Sequence, residues 1–429
     1  PTKETIHEYR LPVISRFDEV KEKKLHVIKV KDGANFKQQA ARLILDKPDQ
    51  GFLRYLLKSK TVIDCRSKIQ TIDSTYSFKI ESMLEPRTLP ADILPLLDVQ
   101  RIFDELQAYK SERRYFNISI VKDKLLDILR KDDWYGLLIP QNHLEINSIA
   151  KLEAATDYAV MALKSYMDKF FKYEKERWEV PRLEYAILDA DNSNFVDEYT
   201  LTYAQQSAMD PKGDELDAFV AEMSAVLQAN NGLDVYKKNF FRGKLVLFDF
   251  RSHLYAPLIC LEKSNLKIQL APVALNTDEM RFVDYLKSYV DDHAAELAGK
   301  SLYLLRNKSK VGMGFFEAGN FYPDYILWID TPATQYISFI DPKGLMHIRP
   351  DDPKIEFHKT IKDLETRLSP TADGKRINSF IMAGARSSDL RMWWSTPEVD
   401  ADRAYREARN VYTLDNDECV ESMMRKILQ

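Results

Sequence analysis

The chain reads as a mixed α/β protein, in which short runs of apolar and β-branched residues alternate with segments of helical period. Two features carry that reading. Tyr325 to Ile329 and Tyr336 to Ile340 are strand-like runs on either side of a turn at Asp330, Thr331 and Pro332, which makes a hairpin. From Ser148 to about Glu176, through KLEAATDYAVMALKSYMDKFFKYEKE, the helical period is unbroken.

The 429 residues suffice for two or three domains with filled cores. With 45% hydrophobic and 30% charged residues the composition is globular, and no apolar run approaches the roughly 18 residues of a membrane span. Pro1 to Arg10 lack the basic stretch and apolar core of a secretory signal. Cys65, Cys260 and Cys419 are odd in number and far apart, which suits a reducing cytoplasm and argues against a disulfide framework or a zinc knuckle. The net charge of −4 leaves nucleic-acid binding open, because a basic groove acts locally while the remaining surface stays acidic.

Taken in order, residues 1–95 form a small α/β region. KLHVIKV (Lys24 to Val30) and TVIDC (Thr61 to Cys65) read as strands, with a helix from about Asn35 to Leu45. Residues 96–183 form a helical connecting region. Between Asp98 and Lys131 the apolar positions Ile102, Phe103, Leu106, Leu125, Ile128 and Leu129 recur near helical spacing, interrupted around Tyr115 to Ile118. The long helix follows as a spine. Its Lys164, Lys169, Lys172, Lys175 and Arg177 are interleaved with Tyr166, Phe170, Phe171, Tyr173 and Trp178. That mixture suits a surface tracking a phosphate backbone. It suits better an aromatic face in the core with lysines in solvent, paired with Glu174 and Glu176.

Residues 184–275 form a mixed α/β connecting region, with a helix from about Asp214 to Gln228 and strands at Leu245 to Phe250 and Ala256 to Glu262. KKNFFRGK, Lys237 to Lys244, gathers four positive charges around two phenylalanines in a predicted loop, as a nucleic-acid contact or a solvated hairpin. Residues 276–429 form the C-terminal domain. Asn276 and Glu279 have capping-box spacing and open a helix whose core face holds Phe282, Val283, Leu286 and Val290. Ser301 to Asn307 is a strand, the hairpin follows, a helix fits Ile355 to Leu368, and Ile377 to Gly384 is a further strand, in the order αβββαβ.

Chemistry concentrates in FYPDYILWIDTPATQYISFIDPKG, Phe321 to Gly344. The hairpin carries Asp324 at the start of its first strand and Asp341 at the end of its second, and adjacent strands lie roughly 4.8 Å apart. Two carboxylates at that separation repel unless a cation sits between them, and hard oxygen ligands favour Mg2+ or Mn2+. Lys343, two residues past Asp341, shares its strand face and is suited to orient a water or stabilise a pentavalent phosphate. Pro342 has no N–H, but its backbone carbonyl is a further candidate metal ligand. The set fits metal-dependent phosphodiester hydrolysis. The plainer alternative makes the aspartates turn residues and Lys343 a solvated charge.

LLRN (Leu304 to Asn307), GFFEAGNFYPDYILWI (Gly314 to Ile329) and FIDPKGL (Phe339 to Leu345) together resemble the PD-(D/E)xK nuclease superfamily, in particular the C-terminal endonuclease region of type III restriction subunits and related helicase-linked defence nucleases. The resemblance covers residues 276 to about 384. It implies a restriction-endonuclease-like core and a DNA substrate, Asp324 and Asp341 as Mg2+ ligands with Mn2+ as substitute, and Lys343 serving the attacking water. It also implies an acid on the first core helix, for which Glu279 is the candidate and Glu317 ranks below it. Implied partners are a helicase or translocase and a methylation or recognition subunit, in a prokaryotic cytoplasm. Pro1 then fits the tail of a longer protein, with residues 1–95 as the end of a motor domain. The alternative within the resemblance is an inactive DNA-binding or assembly scaffold.

Three further residues are candidate nucleic-acid contacts: Arg306 and Lys308, on the strand and turn before the site, and His347, three residues past Gly344. AGKS, Ala298 to Ser301, lacks the upstream glycine and preceding strand of a phosphate-binding loop, so no ATPase motif is expected in this chain. A small-molecule hydrolase reading has no nucleophile elbow to support it.

Overall fold

The long apolar period in the middle of the chain folds as a single helix, Ile149–Glu179, opened by Ser148, whose hydroxyl accepts the N–H of Lys151. The computed structural model describes residues 5–58, 60–64, 86–130, 134–139, 141–205, 213–228, 235–240, 243–262, 268–308, 313, 315, 321–345, 348–369 and 374–429. They divide into two units, one from Val30 to Leu183 and the other joining the described residues up to Lys29 with Glu184–Gln429.

In the Val30–Leu183 unit the long helix buries Tyr158, Leu163, Tyr166, Met167 and Phe171. Lys164, Lys175 and Arg177 pair with Glu105, Glu179 and Glu174. The aromatic face is therefore core, and Glu176 is buried with it instead of lying in solvent. The helix expected from Asn35 to Leu45 is only Phe36–Gln39. The backbone turns extended at Ala40, and Leu43–Leu45 pairs in parallel with Ile118–Ile120. That long-range pairing overrides local helical spacing and accounts for the interruption seen near Tyr115 to Ile118. A second parallel pair joins Thr61–Asp64 to Tyr135–Leu138; Cys65 lies outside the described residues.

Among the described residues of the other unit, three sheets have three strands or more. Thr5–Pro12, Glu198–Gln205 and Ile268–Ala271 form one antiparallel sheet. Val235–Phe240, Gly243–Phe248 and Leu258–Glu262 form another. Much of KKNFFRGK is thus strand and not loop, with Phe241 and Arg242 outside the described residues.

The third sheet is built from the C-terminal elements: α1 (Thr277–Asp292), β1 (Ser301–Arg306), β2 (Tyr325–Asp330), β3 (Gln335–Lys343), α2 (Pro353–Leu368), β4 (Lys375–Ala383), α3 (Ser387–Trp394), α4 (Arg403–Glu407), β5 (Val411–Thr413) and α5 (Glu418–Ile427). Strand order is β1-β2-β3-β4-β5, antiparallel across β1–β3 and parallel across β3–β5. Tyr325 to Ile329, Ile337, Phe339 and Ile340 are all fully buried, as expected of strands covered on both faces. Phe282 of α1 packs on Tyr325, while Phe357 of α2 packs on Phe315, which in turn packs on Phe339. Tyr325 stands opposite Ile340, so side-chain alternation puts Tyr325 and Phe339 on opposite faces, α1 covering one and α2 the other. Among the described residues no helix is long and apolar enough to cross a membrane.

Candidate active site

The β2–β3 register pairs Tyr325 with Ile340, so the next residues outward, Asp324 and Asp341, face each other at the end of the ladder. The N–H of Asn307 donates to the carbonyl of Asp324 at 2.7 Å, so the backbone of Asp324 points toward β1 and the Asp324–Asp341 pair is not hydrogen-bonded through the main chain. Such pairs bring side chains closest together. By the same alternation the carbonyl of Pro342 turns from β4 toward the side of β2, whose ladder has already ended. Asp341 and Lys343 project from the α2 face.

Asp341 is 1% exposed, and its Oδ2 has no hydrogen-bond partner among the described residues. Lys343 Nζ lies 3.6 Å from that oxygen. A buried carboxylate oxygen left open in this way lacks the compensation that burial normally demands. Burial pushes the carboxyl of Asp324 well above the usual range, and the negative charges of Asp341 and then Glu279 push it further. Two convergent carboxyls that resist joint ionisation, one with an open oxygen, match a divalent ion in donor chemistry and charge. Asp324, Asp341 and the Pro342 carbonyl are the groups able to hold one.

Glu279 forms the capping box expected of it: Asn276 Oδ1 accepts the N–H of Glu279, and Glu279 Oε2 accepts the N–H of Asn276 at 2.9 Å. The same oxygen lies 3.2 Å from Arg306. Burial raises its carboxyl above the ordinary range, against the pull of the Arg306 charge. Its charge reaches the pair, since it is among the groups that raise the Asp324 carboxyl.

Arg306 is turned inward, donating to the carbonyls of Val273 and Ala274 and to Glu279. Lys308 donates to the carbonyl of Phe195 at 2.8 Å. Each side chain thus already donates to a carbonyl of the same unit. His347 and Glu317 lie outside the described residues.

Four residues of the site have no role in the sequence reading. His253 is fully buried; its Nε2 accepts the N–H of Arg306 at 3.0 Å, which leaves Nδ1 to donate to the carbonyl of Tyr255 at 2.7 Å. Burial lowers it to about 3, so the imidazole is a neutral strut under β1. Asn307 and Asn194 join their side chains at 3.0 Å beside Asp324. Lys354, in the first turn of α2, has Lys343 and Asp341 among its charged neighbours; burial first, and the Lys343 charge second, hold its ammonium below the lysine range. A lysine at the positive end of a helix dipole is itself a local conflict, and that conflict is the signal sequence reasoning had available. No comparable signal links Asn194 or His253 to the site, since their partners lie 113 and 53 residues away.

Comparison with protein-family models, with curated proteins and with solved structures found no match.

Proposed function

We propose that this chain is a divalent-ion-dependent endonuclease that hydrolyses phosphodiester bonds in DNA, on a restriction-endonuclease-like core of the PD-(D/E)xK kind. The observation that supports it most is the facing of Asp324 and Asp341 at one strand-pair end, with Lys343 Nζ 3.6 Å from the Asp341 Oδ2 that has no hydrogen-bond partner among the described residues. Asp324, Asp341 and the Pro342 carbonyl would hold Mg2+, with Mn2+ able to substitute. When bound, the ion supplies an acidified water and neutralises charge on the phosphate. Lys343 offers its ammonium to that water or to the developing pentavalent phosphate. Lys354 adds a second positive charge from the start of α2, favouring a phosphate against the same rim. Glu279 and Arg306 act from behind, tying the start of α1 to the end of β1.

DNA as substrate follows from the resemblance, as does coupling to an ATP-driven translocase elsewhere in the same protein or on a partner, with a methylation or recognition subunit beside it. That setting is a restriction or phage-defence system inside a prokaryotic cell; Cys260 and Cys419, both buried, suit a reducing interior. The test is cleavage of plasmid and linear DNA with Mg2+ or Mn2+, with Asp341→Ala as control. Cleavage that disappears with chelator and in the variant, while DNA binding persists, supports the assignment. Intact DNA in every lane, together with no calorimetric heat of metal binding, refutes it in favour of a scaffold.

A further inference from the structure

Asp324 stands one residue beyond the β2–β3 ladder, so β3 does not hold its backbone. Its neighbour Pro323 has no N–H to anchor the approach. A single residue does both tasks. Asn307 donates its backbone N–H to the carbonyl of Asp324 at 2.7 Å and its side-chain Nδ2 to the carbonyl of Pro323 at 2.8 Å. The second hydrogen of Nδ2 goes to the carbonyl of Met313 at 2.7 Å. Oδ1 accepts from the N–H of Met313 at 2.8 Å and from Asn194 Nδ2 at 3.0 Å. Asn194 in turn accepts the N–H of Lys308 at 2.8 Å.

Asn307 is 5% exposed, and both amide hydrogens and both lone pairs of its side chain are used. No other side chain of this size reproduces the set. Aspartate has no hydrogens to donate, leucine has neither donor nor acceptor, and glutamine is one methylene too long. Asn307 therefore grips the peptide groups on both sides of the Asp324 Cα from the end of β1, and Asn194 braces it from a distant segment of the same unit.

We propose that Asn307, braced by Asn194, is the positioning residue that sets the distance between the Asp324 and Asp341 carboxylates for a small divalent ion. This rests on the metal-dependent reading above. Mg2+ demands near-ideal octahedral geometry with ligands at about 2.0–2.1 Å, whereas Ca2+ accepts about 2.3–2.6 Å and flexible geometry. A slackened Asp324 therefore loses Mg2+ before it loses Ca2+. A residue that only stabilised the fold would not distinguish the two ions.

The test is calorimetric affinity for Mg2+ and for Ca2+ in the full chain, wild type against Asn307→Ala and Asn194→Ala, with folding checked by circular dichroism. Asn307→Ala is expected to weaken Mg2+ binding about 10–100-fold, the range for outer-shell partners, with a smaller loss for Ca2+. Asn194→Ala, which leaves the bonds to Pro323 and Met313 in place, is expected to weaken Mg2+ less and in the same order of ions. Equal losses for both ions, or none, in a folded variant overturn the proposal. Should Asn307→Ala not fold, Asn194→Ala decides by the same criterion. Failure of the wild type to bind either ion would instead overturn the metal-dependent reading itself, and so separates the two.

Discussion

Replacing Asp324 by Asn should make the metal-free protein more stable at neutral pH. Asp324 and Asp341 face each other in a pair whose Cβ atoms lie about 4.5–5.5 Å apart. At an effective dielectric of about 20 their mutual repulsion is about 3 kcal/mol. Lys343 offsets part of this from 3.6 Å, but its side chain is 40% exposed and solvent screens it, which leaves a net penalty of about 1–2 kcal/mol. The pair either carries that repulsion or takes up a proton to relieve it. Because the Asp324 carboxyl is raised above its unfolded value, the folded state binds more protons than the unfolded state between the two pKa values. Stability from this site is thus fully present below the unfolded value of about 3.9 and is lost as pH rises toward the folded one. Asp324→Asn removes the loss. By differential scanning calorimetry in chelator near pH 8, its Tm should exceed that of the wild type by about 2–6 °C, with the difference shrinking near pH 5. Saturating Mg2+ should raise the wild-type Tm and leave the variant unmoved. A variant less stable than wild type in chelator at both pH values, or one that keeps the Mg2+ response, would refute the repulsion and the shared ion site.

Lys343→Met should keep Mg2+ affinity within about threefold while lowering cleavage about 10²–10³-fold, as loss of a transition-state charge does; calorimetry beside single-turnover cleavage separates the two. Lys354→Ala should weaken DNA binding at every sequence and reduce the slope of log affinity against log salt by about one, measured by fluorescence anisotropy across a salt series. Arg306→Met strands the buried Glu279 and should cost about 3–5 kcal/mol in urea unfolding, with the added Glu279→Gln recovering much of it. In the Val30–Leu183 unit, Glu176 is buried with Oε1 lacking a hydrogen-bond partner among the described residues, and burial pushes it up to about 7. Stability from that carboxyl falls as pH rises from about 4.5 to about 7, so Glu176→Gln should flatten the pH dependence of Tm over that window.

The strands and helices of the C-terminal sheet are legible because their signals are local. Tyr325 to Ile329 is a continuous apolar run bounded by Pro323 and the Asp330 turn, and it becomes a central strand covered on both faces. Asn276, Asp352 and Ser148 cap their helices by bonds to N–H groups two or three residues on, so the residue type beside the apolar period suffices. Asn35 shows where local reading stops. It caps a helix as its type suggests, yet that helix ends after Gln39 because Leu43–Leu45 pairs with Ile118–Ile120, some 75 residues on.

The same division runs through the site. Asp324 and Asp341 sit on one hairpin, whose turn length sets their register, and Lys343 follows Asp341 by the two-residue period of a strand. Arg306 and Lys308 lie as near in sequence, yet their charged ends are turned away by Glu279, Val273 and Phe195, partners that no spacing rule connects to them. What decides whether a charged residue near a catalytic motif meets substrate is the set of buried acceptors the fold brings beside it. The buried Glu279 carboxylate would be stranded if Arg306 swung out, and the partly buried Phe195 carbonyl would lose its donor if Lys308 did, so the unit binds its own arginine and lysine inward. Lys343 and Lys354 have no such carbonyl partner among the described residues; Lys343 lies against the open oxygen of Asp341, and Lys354 lies within reach of the charges of both. On that criterion the positive charge available to a phosphate comes from the α2 side of the sheet, and substitutions on the β1 side should register as stability and metal geometry before they register as DNA affinity.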